Sequence, residues 1–235
     1  MSQSIVRPIT HLALRFTPKP WRFADERRAE IDAHFAGLRR DKPAIWNGRV
    51  LLLAEYELSG TTFSGAYLET DFASFISWRD WHWPDATVNN CFGLAALRAA
   101  DGPFVVGVMG AHTANAGRIY FPGGTPDPND VFDGTVDLEG SVMRELAEET
   151  GLTAADVEIA PGWHNVIEGR RIAMLKPMRA RLTAAALRER VRAHLAQQAE
   201  PELADLRILC GPADLDPAMP DFLRTFLVHM WASGE

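Results

Sequence analysis

A chain of 235 residues, 47% hydrophobic and 23% charged, is long enough to bury a large core as one domain, or as one domain with an appendage. Its formal charge of −7 argues against a nucleic-acid partner, because wrapping a polyanion depends on a basic patch. No run approaches the roughly 18 apolar residues of a membrane span, and the first residues lack the basic, apolar and small-residue succession of a secretion signal, so a cytoplasmic protein without a membrane partner is expected.

Residues 23–40 place Phe23, Ile31, Phe35 and Leu38 among charges at helical spacing, and Asp41-Lys42-Pro43 ends that helix. Two runs, 49–58 and 62–68, flank Ser59-Gly60-Thr61 and predict a hairpin, followed by a helix over 71–81 that Pro84 closes. These elements define an N-terminal α/β appendage, residues 1–85. From Cys91 the texture changes to short apolar strands, 92–98 and 104–109, around an Ala100-Asp101-Gly102-Pro103 turn. A third strand, 117–121, runs into Pro122-Gly123-Gly124. Residues 125–136 are rich in turn formers, have neither helical nor strand period, and are expected as a loop. A helix follows over 137–150, with Asp137 as its N-cap and Gly151 as its left-handed stop. Strands over 157–159, 163–167 and 171–178, a helix over 184–198, a strand over 206–209 and an amphipathic helix over 221–231 complete a second unit, residues 86–235. Strands and helices without regular βα alternation predict an α+β fold. Cys91 and Cys210 form no CxxC pair and are expected as buried thiols without chemistry.

The chemistry concentrates in Arg144-Glu145-Leu146-Ala147-Glu148-Glu149-Thr150-Gly151-Leu152. On a helix, Glu145 reaches Glu148 at i+3 and Glu149 at i+4, gathering three carboxylates that repel one another unless a cation compensates. A hard divalent ion with oxygen ligands is such a cation, and Arg144, four residues before Glu148, is placed to orient that carboxylate. The alternative is a solvated charged face. The preceding Tyr120-Phe121-Pro122-Gly123-Gly124 favours the ion, since paired glycines let backbone carbonyls approach a metal or phosphate. Trp78, Trp81 and Trp83 with His82 are read as packing, with stacking on a nucleobase as the alternative. His112 and Arg118, just before the Pro-Gly-Gly turn, are candidate contacts to phosphate or ribose, or else solvent-facing loop residues. His164 has no second His at zinc-ligand spacing and is read as an ordinary strand residue.

These residues resemble the Nudix box, G-x5-E-x7-R-E-U-x-E-E-x-G-U with U a bulky aliphatic residue. Arg144 to Leu152 match its second half at every specified position, with Leu146 and Leu152 as the aliphatic residues. The first half departs: from Gly124 the glutamate position holds Asp130, and thirteen residues rather than seven separate it from Arg144, an insertion of six. Asp130, Asp133 and Asp137 are the candidates to replace the first box glutamate. The resemblance implies a Nudix-type α/β/α sandwich with a mixed sheet, and a pyrophosphohydrolase dependent on Mg²⁺, or Mn²⁺. It implies metal binding by Glu145, Glu148 and Glu149, with a carbonyl of Gly123 or Gly124 as a further ligand. Catalytic residues implied alongside Glu145, Glu149 and Arg144 include a general base outside the box, sought at Glu200 or Glu202, with Glu168 and Glu145 behind them. Residues 42–48, the hairpin and residues 67–72 resemble the N-terminal extension of the Nudix branch that acts on nucleoside diphosphate sugars. That puts nucleotide sugars first, with ADP-ribose, coenzyme A and a non-catalytic nucleotide-sensing module as alternatives. The expected partner is a nucleoside diphosphate linked to a small moiety, with a homodimer left open.

Overall fold

A computed structural model describes residues 5–234. In chain order the elements are β1 (Val6–Ile9), β2 (His11–Phe16), α1 (Arg22–Glu26), α2 (Arg28–Asp41), β3 (Arg49–Ser59), β4 (Thr62–Asp71) and α3 (Phe72–Asp80). There follow β5 (Asn90–Arg98), β6 (Phe104–Met109), β7 (Ile119–Tyr120), β8 (Gly123–Gly124), β9 (Val131–Phe132), β10 (Thr135–Val136) and α4 (Leu138–Thr150). The chain ends with β11 (Val157–Ile159), β12 (Trp163–Glu168), β13 (Arg171–Ala180), α5 (Ala184–Leu195), β14 (Leu203–Leu209) and α6 (Asp221–Ser233).

The main sheet runs β1-β12-β13-β5-β6-β14, with β11 on β13, β7 on β6 and β8 on β5. It is mixed: β13 and β5 are parallel and the other pairs antiparallel. Both faces are covered, so its central strands are apolar on both sides. Cys91, Ala95 and Leu97 of β5 join Ile172 and Met174 of β13 under Leu138, Val142 and Leu146 of α4 and Leu187 and Val191 of α5. Their neighbours Phe92, Leu94, Ala173 and Leu175 face Phe222, Leu223, Phe226 and Leu227 of α6. This is an α+β architecture with an α/β/α sandwich.

A second sheet, β3-β4-β2-β10-β9, is built mostly from the N-terminal residues. Strand alternation divides its side chains between two cores. Leu51, Leu53, Phe63 and Tyr67 join the core beneath α4, whereas Leu52 and Leu68 pack on Ile31 and Phe35 of α2 and Ile76 and Trp78 of α3. The fully buried Tyr67 donates its hydroxyl to the Cys91 carbonyl at 3.1 Å, linking the two sheets.

β1 and β2 are short and separated only by Thr10, so no local pattern marks them. Pairing supplies the order: β1 registers Val6 to Val166 on β12, and β2 runs parallel to β4. The expected loop over 125–136 contains a 3-10 turn at Pro128–Asp130 and the hairpin β9-β10, whose Thr135 pairs with Arg15. Its turn is Asp133-Gly134, with φ of 48° and 75°, the left-handed pair that an Asp-Gly hairpin uses. Cys91 is buried, and burial pushes its thiol up to about 12, but Cys210 is exposed, contrary to expectation, because it follows the last strand residue.

Candidate active site

The site grows from the way α4 crosses the main sheet. Asp137 accepts the Gly140 N–H at 2.9 Å and caps the helix, and Gly151 ends it at φ 70°. A side chain at Gly93 would lie 2.4 Å from Val142, so this glycine lets α4 sit directly on β5. Gly123, at φ 140°, brings β8 so close that a Cβ would stand 2.2 Å from the Gly93 carbonyl oxygen. The helix, β5 and the Pro-Gly-Gly turn therefore meet at one point. In the first turn, Glu139 pairs at 2.6 Å with Lys176, a buried residue of β13.

With Leu138, Val142 and Leu146 in the core, Glu145 and Glu149 point along the β8 edge of α4. Glu149 is 4% exposed; its Oε1 accepts the Gly123 N–H at 3.4 Å and its Oε2 is buried without a hydrogen-bond partner. Burial first, then the charges of Glu145 and Glu202, raises its carboxyl well above the ordinary range. Burial likewise pushes Glu145 up to about 7, despite Arg144 beside it and helped by Glu148 and Glu202. Glu148 lies at the rim, its side chain 61% exposed.

Arg144 ties the inserted segment to the helix. Its Nη2 donates to both oxygens of buried Asp130 at 3.1 Å, and its Nη1 to Glu145 at 3.0 Å and Glu148 at 3.5 Å. Of the three acids considered for the first box position, Asp130 alone reaches the arginine. Asp133 occupies the hairpin turn and Asp137 the helix cap.

Two cavities adjoin, and Glu145, Glu149 and Glu202 line both. The larger, about 1150 Å³, also includes His112, Arg118, Gly123, Gly124, Trp46 and Trp83, so both candidate substrate contacts reach it. A side chain at Gly124 would meet the Glu145 carboxylate at 3.6 Å. The smaller cavity adds Glu148, His194 and Gln198. Glu200 is exposed and lines neither. Glu168 is engaged elsewhere, accepting from Arg171 and from the Phe222 N–H at the start of α6. Trp78 is buried, packed edge-on against Trp83 at 4.5 Å.

The donor set fits a divalent cation: oxygen ligands in excess, two of them costly to keep charged without compensation, and one buried oxygen unpartnered. Among the described residues, no three acidic, His or Cys side chains converge tightly enough to hold an ion as they stand. Binding one calls for rotation of side chains at the rim, where Glu148 and Glu202 are exposed and Arg144 draws Glu148 and Glu145 toward itself.

A family model described as NUDIX domain matches residues 92–230, more than half the chain. The chain belongs to the Nudix family. It is a hydrolase of the Nudix type, whose substrates are nucleoside diphosphate derivatives. Solved structures similar to it include a MutT protein from Methanosarcina mazei Go1, at 21% identity over 62% of this chain and 94% of that one, TM-score 0.43. A Nudix hydrolase from M. smegmatis is 15% identical over 61% of this chain and 83% of that one, TM-score 0.37. A bifunctional NMN adenylyltransferase/ADP ribose pyrophosphatase from Francisella tularensis is 14% identical over 68% of this chain and 46% of that one, TM-score 0.43. No curated protein matches. Among the described residues, no helix is long and apolar enough to cross a membrane.

Pattern reading of the Nudix box missed three residues that line the cleft: Arg79, Asn115 and Tyr120. Tyr120 was legible, lying beside the Pro-Gly-Gly turn. Arg79 and Asn115 come from distant segments that only folding joins.

Proposed function

We propose that this Nudix hydrolase cleaves the diphosphate of nucleoside diphosphate sugars at a divalent-cation site made by Glu145, Glu148 and Glu149 with the Gly124 carbonyl. The observation that carries the reading is the buried, half-unpartnered Glu149 carboxylate opening, with Glu145, onto a cleft of about 1150 Å³. That volume suits a substrate with two substituents on one diphosphate. Residues 1–85 act as an appendage to a hydrolase domain of residues 86–235, supplying Trp46 and Arg79 to one wall of the cleft.

A bound Mg²⁺ or Mn²⁺ supplies charge neutralisation and an acidified water. The protein's own residues do the rest. Arg144, held by Asp130, orients Glu145 and Glu148. Glu202, which lines both cavities, takes the proton of the attacking water, in preference to Glu200. Arg118 and His112 contact phosphate and ribose from the loop before β7.

A hydrolysis screen across UDP-, GDP- and ADP-sugars, ADP-ribose and coenzyme A, with Mg²⁺ and Mn²⁺, tests this reading. Fastest release of nucleoside monophosphate from a nucleotide sugar supports it. ADP-ribose or coenzyme A as the best substrate would replace the sugar assignment, and no metal-dependent release from any of them would overturn the site.

A further inference from the structure

A chain of hydrogen bonds crosses from the N-terminal helices to the cleft. Arg79 of α3 donates Nη1 to Asn115 Oδ1 at 2.9 Å, and Asn115 donates Nδ2 to the Tyr120 hydroxyl at 2.9 Å. Behind Arg79, Asp80 accepts its Nε at 3.2 Å and lies 3.0 Å from His34 Nε2. Arginine can only donate, so it turns the Asn115 oxygen toward itself and the amide N–H toward Tyr120. The hydroxyl thereby receives a hydrogen bond and keeps its own proton to give. Among the described residues it makes no other hydrogen bond. Burial, reinforced by Glu149 and Glu202, holds the phenol above its ordinary range and hence protonated. Tyr120, Glu145, Glu149 and Gly124 line the same cleft.

We propose that Tyr120 donates a hydrogen bond to a non-bridging phosphate oxygen of the substrate, and that Asn115 and Arg79 are positioning residues which keep its proton aimed there. The inference rests on the diphosphate being cut at Glu145 and Glu149. It gives the N-terminal unit a share in the reaction, since Arg79 belongs to α3. Nothing acidic is needed of the tyrosine: a neutral O–H beside two carboxylates offers an anionic oxygen a donor without adding negative charge.

The test uses full-length wild type, Tyr120→Phe, Asn115→Asp and the double variant, with Mg²⁺ and whichever of UDP-glucose, GDP-mannose and ADP-ribose the wild type turns over fastest. Tyr120→Phe should lower kcat/KM roughly 10- to 100-fold, the range for a lost hydrogen bond to a charged group. Asn115→Asp is the decisive variant, because its carboxylate pairs with Arg79 while accepting the tyrosine proton and withdrawing it from the cleft. It should match the loss in Tyr120→Phe with an unchanged or raised melting temperature, and the double variant should be no worse than either single one. A purely structural role predicts the opposite, with activity following stability. Tyr120→Phe within threefold of wild type overturns the donor, and Asn115→Asp at wild-type activity overturns the aiming. A wild type that turns over neither these three nor coenzyme A overturns the reading of the site itself.

Discussion

Replacing Asp130 by Asn removes the charge on which Arg144 rests while keeping the shape of the side chain. The Asp130 side chain is 4% exposed, takes two hydrogen bonds from Arg144 Nη2 and accepts the Asp127 N–H at 2.9 Å. An amide turned either way loses one acceptor and sets a donor against a donor. Breaking a buried ion pair costs about 3–5 kcal/mol. Arg144 is one-third open and keeps Glu145 and Asp127 nearby, so a loss of about 2–3 kcal/mol is expected here. In a chain of this size that is a fall of roughly 4–12 °C in melting temperature. Urea unfolding measures the difference, with Asp133→Asn and Asp137→Asn as controls. Asparagine tolerates the left-handed turn position of Asp133 and caps a helix as well as Asp137 does, so both controls should stay within about 0.5 kcal/mol. Turnover should fall in Asp130→Asn, because Arg144 also orients Glu145 and Glu148, but less than in Glu149→Gln. An Asp130→Asn protein as stable as wild type, or a control equally destabilised, would refute the reasoning.

Glu149→Gln and Glu148→Gln should each remove most hydrolysis, and Glu149→Gln should also raise the melting temperature in EDTA, because an amide removes the cost that burial sets against ionising that carboxyl; normal turnover in both at limiting Mg²⁺ contradicts the metal assignment. Stability in EDTA should fall as pH rises from about 4.5 to 7, because the unfolded chain releases the Glu145 proton first while the folded group holds it up to about 7. The fall from this residue is about 3 kcal/mol, flat above pH 7, and should shrink with millimolar Mg²⁺; a denaturation series flat over that range would contradict it. Deleting residues 1–85 should give an aggregating protein or one with altered substrate preference, because Leu51, Leu53, Phe63 and Tyr67 belong to the core beneath α4; a soluble truncation with unchanged kcat/KM across substrates would count against the appendage's role.

Punctuation and carboxylate spacing made the α4 segment legible: Asp137 and Gly151 mark its ends, and Arg144 to Leu152 carry the family pattern, because helix caps and i, i+4 spacing are local properties of a chain. The paired glycines before it were readable for the same reason. Position relative to the rest of the protein was not. Glu148 shares the helix with Glu149, yet packing against β5 turns one carboxylate outward and buries the other. Glu200 and Glu202 stood equal in sequence until the approach to β14 set only Glu202 at the cavities. Asp130 was one of three interchangeable acids until the Asp133-Gly134 hairpin, docked on β2, folded it under Arg144. The Arg79-Asn115-Tyr120 relay joins residues 36 and 5 positions apart. Such contacts depend on where long loops close and which faces of two sheets meet, and those are decided by burying both cores at once rather than by any local pattern.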